Sequence, residues 1–329
     1  MTGALLPPEL VYEIIDCLAE LHPGSLKAGS LCSTLPLIRR INAHRLIGDP
    51  LDVYFDAIAN DLRTLTHIHT LEYNLFMNVH GTALLADKAF RTGFVTAFPQ
   101  LTSLDLICGF GNGPLHTDAV IDMICLFPAL EVLQLRDVFG GVRVEIPEPV
   151  KPPQKLRSVI LGAGVAELIL TWFIEAGIPP LLDSLTLSAL GPTDDLAVSQ
   201  TLQRYGHMLR HLDCLWHVDM LSLSNLFSVP NIKTLTMRDL RPRPESEGFV
   251  TLLNRLTAPT LERLSCEIDI SSAQREDWET MDVFLSRERF PLLKQVTIQV
   301  AHPSECRRAV RMFPLLDSLG LLRAEWRGY

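Results

Sequence analysis

The sequence predicts an α/β protein, in which a small N-terminal helical unit precedes a stack of short strand-and-helix repeats sharing a parallel sheet. Three observations predict it. A pattern of the form Pro-x-Leu-x-x-Leu-x-Leu, with hydrophobic substitutions, recurs from residue 98 onward. Helix-like stretches separate its copies. A proline-started amphipathic segment stands near the N-terminus.

That first segment, Leu5-Leu6-Pro7-Pro8-Glu9-Leu10-Val11-Tyr12-Glu13-Ile14-Ile15-Asp16-Cys17-Leu18, starts a helix at little cost. Pro7 and Pro8 have φ preset near the helical value and lack N–H groups that a first turn leaves unpaired. Glu9 sits near the positive end of the helix dipole. Leu10, Val11, Ile14, Ile15 and Leu18 fall on one face, an apolar stripe that something must cover. The run Leu6-Pro7-x-Glu9-Leu10-x-x-Glu13-Ile14-Ile15-x-x-Leu18 resembles the opening of an F-box in its fungal form, and Ser25 to Cys32 resembles its second helix. The resemblance covers about residues 5–47. It implies docking to a Skp-type adaptor of a cullin-RING ubiquitin ligase through Leu6, Pro7, Leu10, Ile14, Ile15 and Leu18. After Cys32 the chain reads Ser33-Thr34-Leu35-Pro36, where the family continues with a Cys-Arg-x-Trp run.

Three segments are therefore expected: a helical F-box-like unit over 1–48, connecting helices with a weak first repeat near Ile68–Tyr73 over 49–97, and the repeat array over 98–329. The first leucine-type positions are Leu101, Leu130, Leu156, Leu182, Leu209, Ile232, Leu261, Leu293 and Leu316. Their steps of 29, 26, 26, 27, 23, 29, 32 and 23 residues suit one strand and one helix per unit. In each copy the last residues alternate, so Leu104 and Leu106 point inward while Ser103 and Asp105 point outward. The last copy, Phe313 to Leu321, is read as a strand like the others. Helices are expected over 117–127, 166–176, 194–205, 248–256, 274–289 and 304–313, with Thr117, Asp194 and Ser304 at their starts. Proline just ahead of each strand stops the helix behind it. Strands alternating with helices favour parallel pairing and right-handed connections.

The array resembles an irregular leucine-rich repeat, the usual partner of an F-box in a substrate receptor. Where that family places Asn or Cys after Leu-x-x-Leu-x-Leu-x-x, this chain has Gly109, Val138, Leu190, Leu240 and Ala324, so no buried Asn ladder supports the turn.

The outward strand positions form an extended surface for a protein target. Arg136, Arg238 and Arg263 are candidates to receive acidic or phosphorylated side chains by bidentate pairing. The other reading pairs them with Asp105, Asp213 and Glu267. His211, Asp213 and Trp216 complete the candidate target site, Trp216 as an aromatic anchor just past a strand. Trp172 and Trp278 fall in helical stretches and read as core.

Composition narrows the function classes. Of 329 residues, 47% are hydrophobic and 20% charged, which suits globular folding. A net charge of −9 and a pI near 5.6 argue against general nucleic-acid binding, which needs a basic stripe. The modest cluster Arg39, Arg40 and Arg45 reads as a solvated helix face. No window is long and apolar enough for a membrane span, and no secretory signal is evident, so cytosol or nucleus is expected. Seven scattered cysteines without a Cys-x-x-Cys pair read as reduced core residues. His207 and His211 have helical metal-ligand spacing but fall across a turn and a strand, and Gly109 to Gly113 lacks the ending of a phosphate loop. No enzyme, metal or cofactor is expected. The function read from the sequence is the substrate-recognition subunit of a Skp-cullin-F-box ubiquitin ligase. The alternative is a non-catalytic repeat scaffold whose F-box no longer binds the adaptor.

Overall fold

The computed structural model describes residues 40–45, 67–76, 95–109, 117–136, 150–162, 165–177, 181–188, 194–215, 229–240, 256–268, 275–285 and 289–327. Leu6, Pro7, Leu10, Ile14, Ile15 and Leu18 lie outside the described residues, as do Trp216 and all but the last residue of the helix expected over 248–256. The chain divides into two compact units, Met1–Ser158 with Glu175–Pro180, and Val159–Ile174 with Leu181–Tyr329.

Within both, a proline-built turn launches the strands. In Phe98-Pro99-Gln100-Leu101 the N–H of Leu101 donates to the carbonyl of Phe98 at 3.1 Å, placing Pro99 second in a four-residue turn where its fixed φ is favourable. The same bond joins Leu130 to Phe127, Ile232 to Val229, Leu261 to Ala258 and Leu293 to Phe290. Proline thus does more than end the preceding helix. The residue ahead of it is sunk in the core: Phe98, Phe127, Val229 and Phe290 are fully buried.

A second recurrent bond locks one repeat to the next. The N–H groups of Glu131 and Val132 both donate to the carbonyl of Thr102, at 2.8 and 2.9 Å. The pattern returns with Arg157 and Ser158 on Glu131, Lys233 and Thr234 on Arg210, Glu262 and Arg263 on Lys233, and Lys294 and Gln295 on Glu262. Backbone carbonyls of the preceding repeat therefore satisfy the N–H groups at each of these strand entries.

The first unit holds β1 (Arg40–Arg45), β2 (Thr70–Phe76), the single turn α1 (Val95–Ala97), β3 (Ser103–Gly109), α2 (Thr117–Cys125) and β4 (Val132–Arg136). The strands pair in parallel in chain order, with Ile41, Leu71, Leu104 and Leu133 in register. β1 corrects the sequence reading. Arg40 and Arg45 lie on a strand rather than a helix face, because residues 40–45 continue the ladder of β2 instead of closing the helical unit.

The second unit carries β5 (Ser158–Leu161, entering at Val159), α3 (Ala166–Glu175), β6 (Ser184–Leu187), α4 (Asp194–Tyr205), β7 (His211–Leu215), β8 (Thr234–Leu240) and β9 (Arg263–Ile268). It continues with α5 (Arg275–Phe284), β10 (Gln295–Val300), α6 (Cys306–Met312), α7 (Pro314–Ser318) and β11 (Leu322–Trp326). From β6 to β11 all pairings are parallel, with Leu185, Leu212, Leu235, Leu264, Val296 and Leu322 aligned. A bulge interrupts β8 against β9 between Met237 and Leu240.

Alternation sorts the side chains as the sequence predicts. Leu104, Leu106, Leu133, Leu135, Leu185, Leu187, Leu212, Cys214, Leu235, Met237, Leu264, Cys266, Val296 and Ile298 are all at most 3% exposed. Burying each such aliphatic chain stabilises the fold by about 1.5–3 kcal/mol, so the register is strongly held. The helices cover this layer. Ala166, Ile169, Leu170, Trp172 and Phe173 form the buried stripe of α3, and Trp278 of α5 stacks edge-on against Phe313 with centroids 5.9 Å apart. Trp172 and Trp278 are core residues. Polar links tie neighbouring repeats: Glu167 donates its N–H to Asp194 at 2.8 Å, and the Tyr205 hydroxyl donates to the Phe173 carbonyl at 3.1 Å.

The last copy departs from expectation. Residues 314–318 form helix α7 and the strand begins only at Leu322. Pro314 opens the helix, and the buried Asp282 carboxylate of α5 accepts the N–H groups of Leu315 and Leu316 at 2.8 and 2.9 Å. Gly320, at φ +66°, then reverses the chain, with Leu321 donating back to Leu316. A cap supplied from another helix thus overrides the local strand pattern.

Candidate functional site

On the outward sheet face of the second unit, register lays out two rows. One runs Ser184, His211, Thr234, Arg263 and Gln295, the other Thr186, Asp213, Thr236, Ser265 and Thr297. His211 and Arg263 are exposed, whereas most members are half-buried because side chains on adjacent strands crowd one another. The rows are largely neutral hydroxyls, suited to hydrogen bonding along an extended partner.

The charges among them are mostly engaged. Arg238 donates through Nε to Asp213 Oδ1 at 2.8 Å and through a second guanidinium nitrogen to Oδ2. This bidentate bond is the first cause raising the Arg238 pKa above its ordinary value, opposed by burial. Glu267 pairs with Arg327, which follows β11, and not with Arg263. Arg263 makes no ion pair among the described residues. Among the described residues it is the one of the three candidate arginines whose guanidinium has no carboxylate partner.

In the first unit the outward face concentrates charge. Glu72 and Asp105 stand opposite each other on β2 and β3, both at most 9% exposed. Arg40 pairs with Glu72, and Arg136 clasps Asp105, its Nε 3.3 Å from Oδ1, while lying 4.0 Å from Glu72. Burial raises the Asp105 pKa above the ordinary carboxylate value, with Arg136 pulling the other way, Glu72 adding to the rise and Arg40 opposing it.

The structure thus brings His211, Asp213, Arg238 and Arg263 onto one face of one unit and places Arg136 on the corresponding face of the other. The pairing of Arg40 with Glu72 and of Arg327 with Glu267 has no signal in the sequence pattern. The clear repeats start at residue 98, and only the weak unit Ile68–Tyr73 signals β2 in the sequence. Glu262, held below its ordinary pKa first by the bond from Lys294 at 2.6 Å, fills the strand entry between Lys233 and Lys294.

His207 lies in a short 3₁₀ turn, Gly206–Met208, and His211 in β7. Among the described residues no three His, Cys, Asp or Glu side chains gather as a metal centre requires, and no helix is long and apolar enough to cross a membrane. No protein-family model matches the chain, and a search of curated proteins returns no match.

Proposed function

We propose that this chain is the substrate-recognition subunit of a Skp-cullin-F-box ubiquitin ligase, with the N-terminal helix holding the adaptor and the outward strand face of the repeats holding a protein target. The Leu6-Pro7-x-Glu9-Leu10 start with its apolar stripe carries the adaptor half of the reading. The rows of half-buried hydroxyls flanked by exposed His211 and Arg263 support the target half. The role is non-catalytic, and it belongs in cytosol or nucleus, where such ligases work.

A second reading has its own observation. Ser33-Thr34-Leu35-Pro36 puts a helix-breaking proline where the resembled family continues its second helix, which favours a repeat scaffold that no longer binds an adaptor. Co-purification with a Skp-type adaptor separates the two. The receptor reading expects a complex at micromolar concentration that Ile14→Asp abolishes. A chain that ignores the adaptor leaves only the scaffold.

A further inference from the structure

Strand β11 borders the sheet of the second unit. It pairs with β10 on one side, and no strand pairs with its other side among the described residues. The polar groups left on that side follow from the bonds made on the first. Leu321 accepts from Val296 and Arg327 donates to Val300, so in this parallel ladder the odd-numbered residues of β11 face β10. The N–H and C=O groups of Leu322, Ala324 and Trp326 therefore point away from the sheet.

The order of side chains on this edge is self-complementary. Leu322-Arg323-Ala324-Glu325-Trp326 reads apolar, cation, small, anion, apolar. A second copy laid antiparallel about a two-fold axis at Ala324 sets Leu322 against Trp326 of the other copy and Arg323 against its Glu325. Ala324 then meets Ala324 in a hydrogen-bonded pair. Arg323 and Glu325 fall at the non-hydrogen-bonded pair, where opposing side chains come closest. Both charges are available there, being 65% and 36% exposed, and among the described residues they pair with each other along the strand. Trp326 is 52% exposed, and α7, packed beside β11, leaves Leu315 and Leu319 exposed as well.

We infer that β11 is a homodimerisation edge, taking a second copy of this chain in antiparallel register centred on Ala324. A two-fold interface requires one patch to complement itself, which an apolar-cation-small-anion-apolar strand does. An unprotected edge strand is otherwise a liability for open-ended association, and this pairing closes after two copies.

Sedimentation velocity on the full chain over a dilution series tests it. The wild type is expected to show a reversible monomer–dimer equilibrium. Glu325→Arg and Arg323→Glu each set like charges opposite one another twice per dimer and weaken association about tenfold or more. The combined exchange restores opposite charges and returns the affinity towards wild type. Ala324→Pro removes the central outward donor while leaving the bonds to β10, so it yields a monomer with an unchanged circular dichroism spectrum. A wild type that stays monomeric throughout overturns the inference, as does a dimer insensitive to Ala324→Pro or an exchange variant no better than the single ones.

Discussion

Asp213 and Arg238 meet on the diagonal of adjacent strands: Asp213 stands opposite Thr236, and Arg238, two residues further along, reaches back to both carboxylate oxygens. Asp105 and Arg136 repeat the relationship in the other unit, across Gln134. Both pairs are geometric consequences of strands in register, and they withdraw two of the three candidate arginines from simple anion capture.

The Asp213–Arg238 pair is expected to couple measurably. Both side chains are about three-quarters buried, at 27% and 24% exposure, which limits screening. A double-mutant cycle with Asp213→Ala and Arg238→Ala should give a coupling of about 1–2 kcal/mol in urea unfolding. Additive single effects would show that the contact contributes nothing specific.

Asp105 should make stability fall with rising pH. Its folded pKa is raised by burial above 3.8, so the folded state holds this proton more tightly than the unfolded chain. The associated stability is present below about 3.8, and it is lost as pH climbs through the folded value. Asp105→Asn keeps a neutral group at all pH values. Its stability relative to wild type is expected to improve from acid towards neutrality, and a constant difference across that range would contradict the reading.

The Asp282 cap decides the last repeat. Asp282→Ala strips two N–H groups of α7 of their acceptor, that of Leu316 buried and that of Leu315 partly so, and should cost about 2 kcal/mol. Gly320→Ala meets no atom within 4 Å of the added carbon, yet its φ of +66° makes the change cost about 1 kcal/mol. Chemical denaturation of the two variants checks the order of these effects.

Thiol reactivity provides a probe of the inward layer. Burial, with Asp213 beside it, pushes the Cys214 thiol up to about 12, and burial raises Cys266 as well. Cys306, at the start of α6, is half-buried. Iodoacetamide at mildly alkaline pH should modify Cys306 well before Cys214 or Cys266, as read by mass spectrometry. Equal labelling rates would mean that the sheet opens readily.

The recurrence of Leu-x-x-Leu-x-Leu was enough to place β3 to β10 and to name their inward residues, because alternation in a strand is a local property of the backbone. It placed β2 only as a weak unit, since no proline stands directly ahead of Thr70–Phe76, and it missed β1, although Pro36 precedes Ile41 by the same five residues that separate Pro99 from Leu104, because Ala43 stands where the other copies carry a large apolar residue. The proposed adaptor residues rest on sequence pattern alone.

What the chain by itself determined was the repeat, its proline-started turns and its buried layer, all encoded within eight or nine neighbouring residues. Tertiary structure decided the rest: that Arg136 and Arg238 bind Asp105 and Asp213, that Glu267 takes Arg327 rather than Arg263, and that α7 replaces the last expected strand. Each depends on a partner lying 25 or more residues away in sequence. An electrostatic or capping contact has no local periodicity, so only the folded register reveals who meets whom.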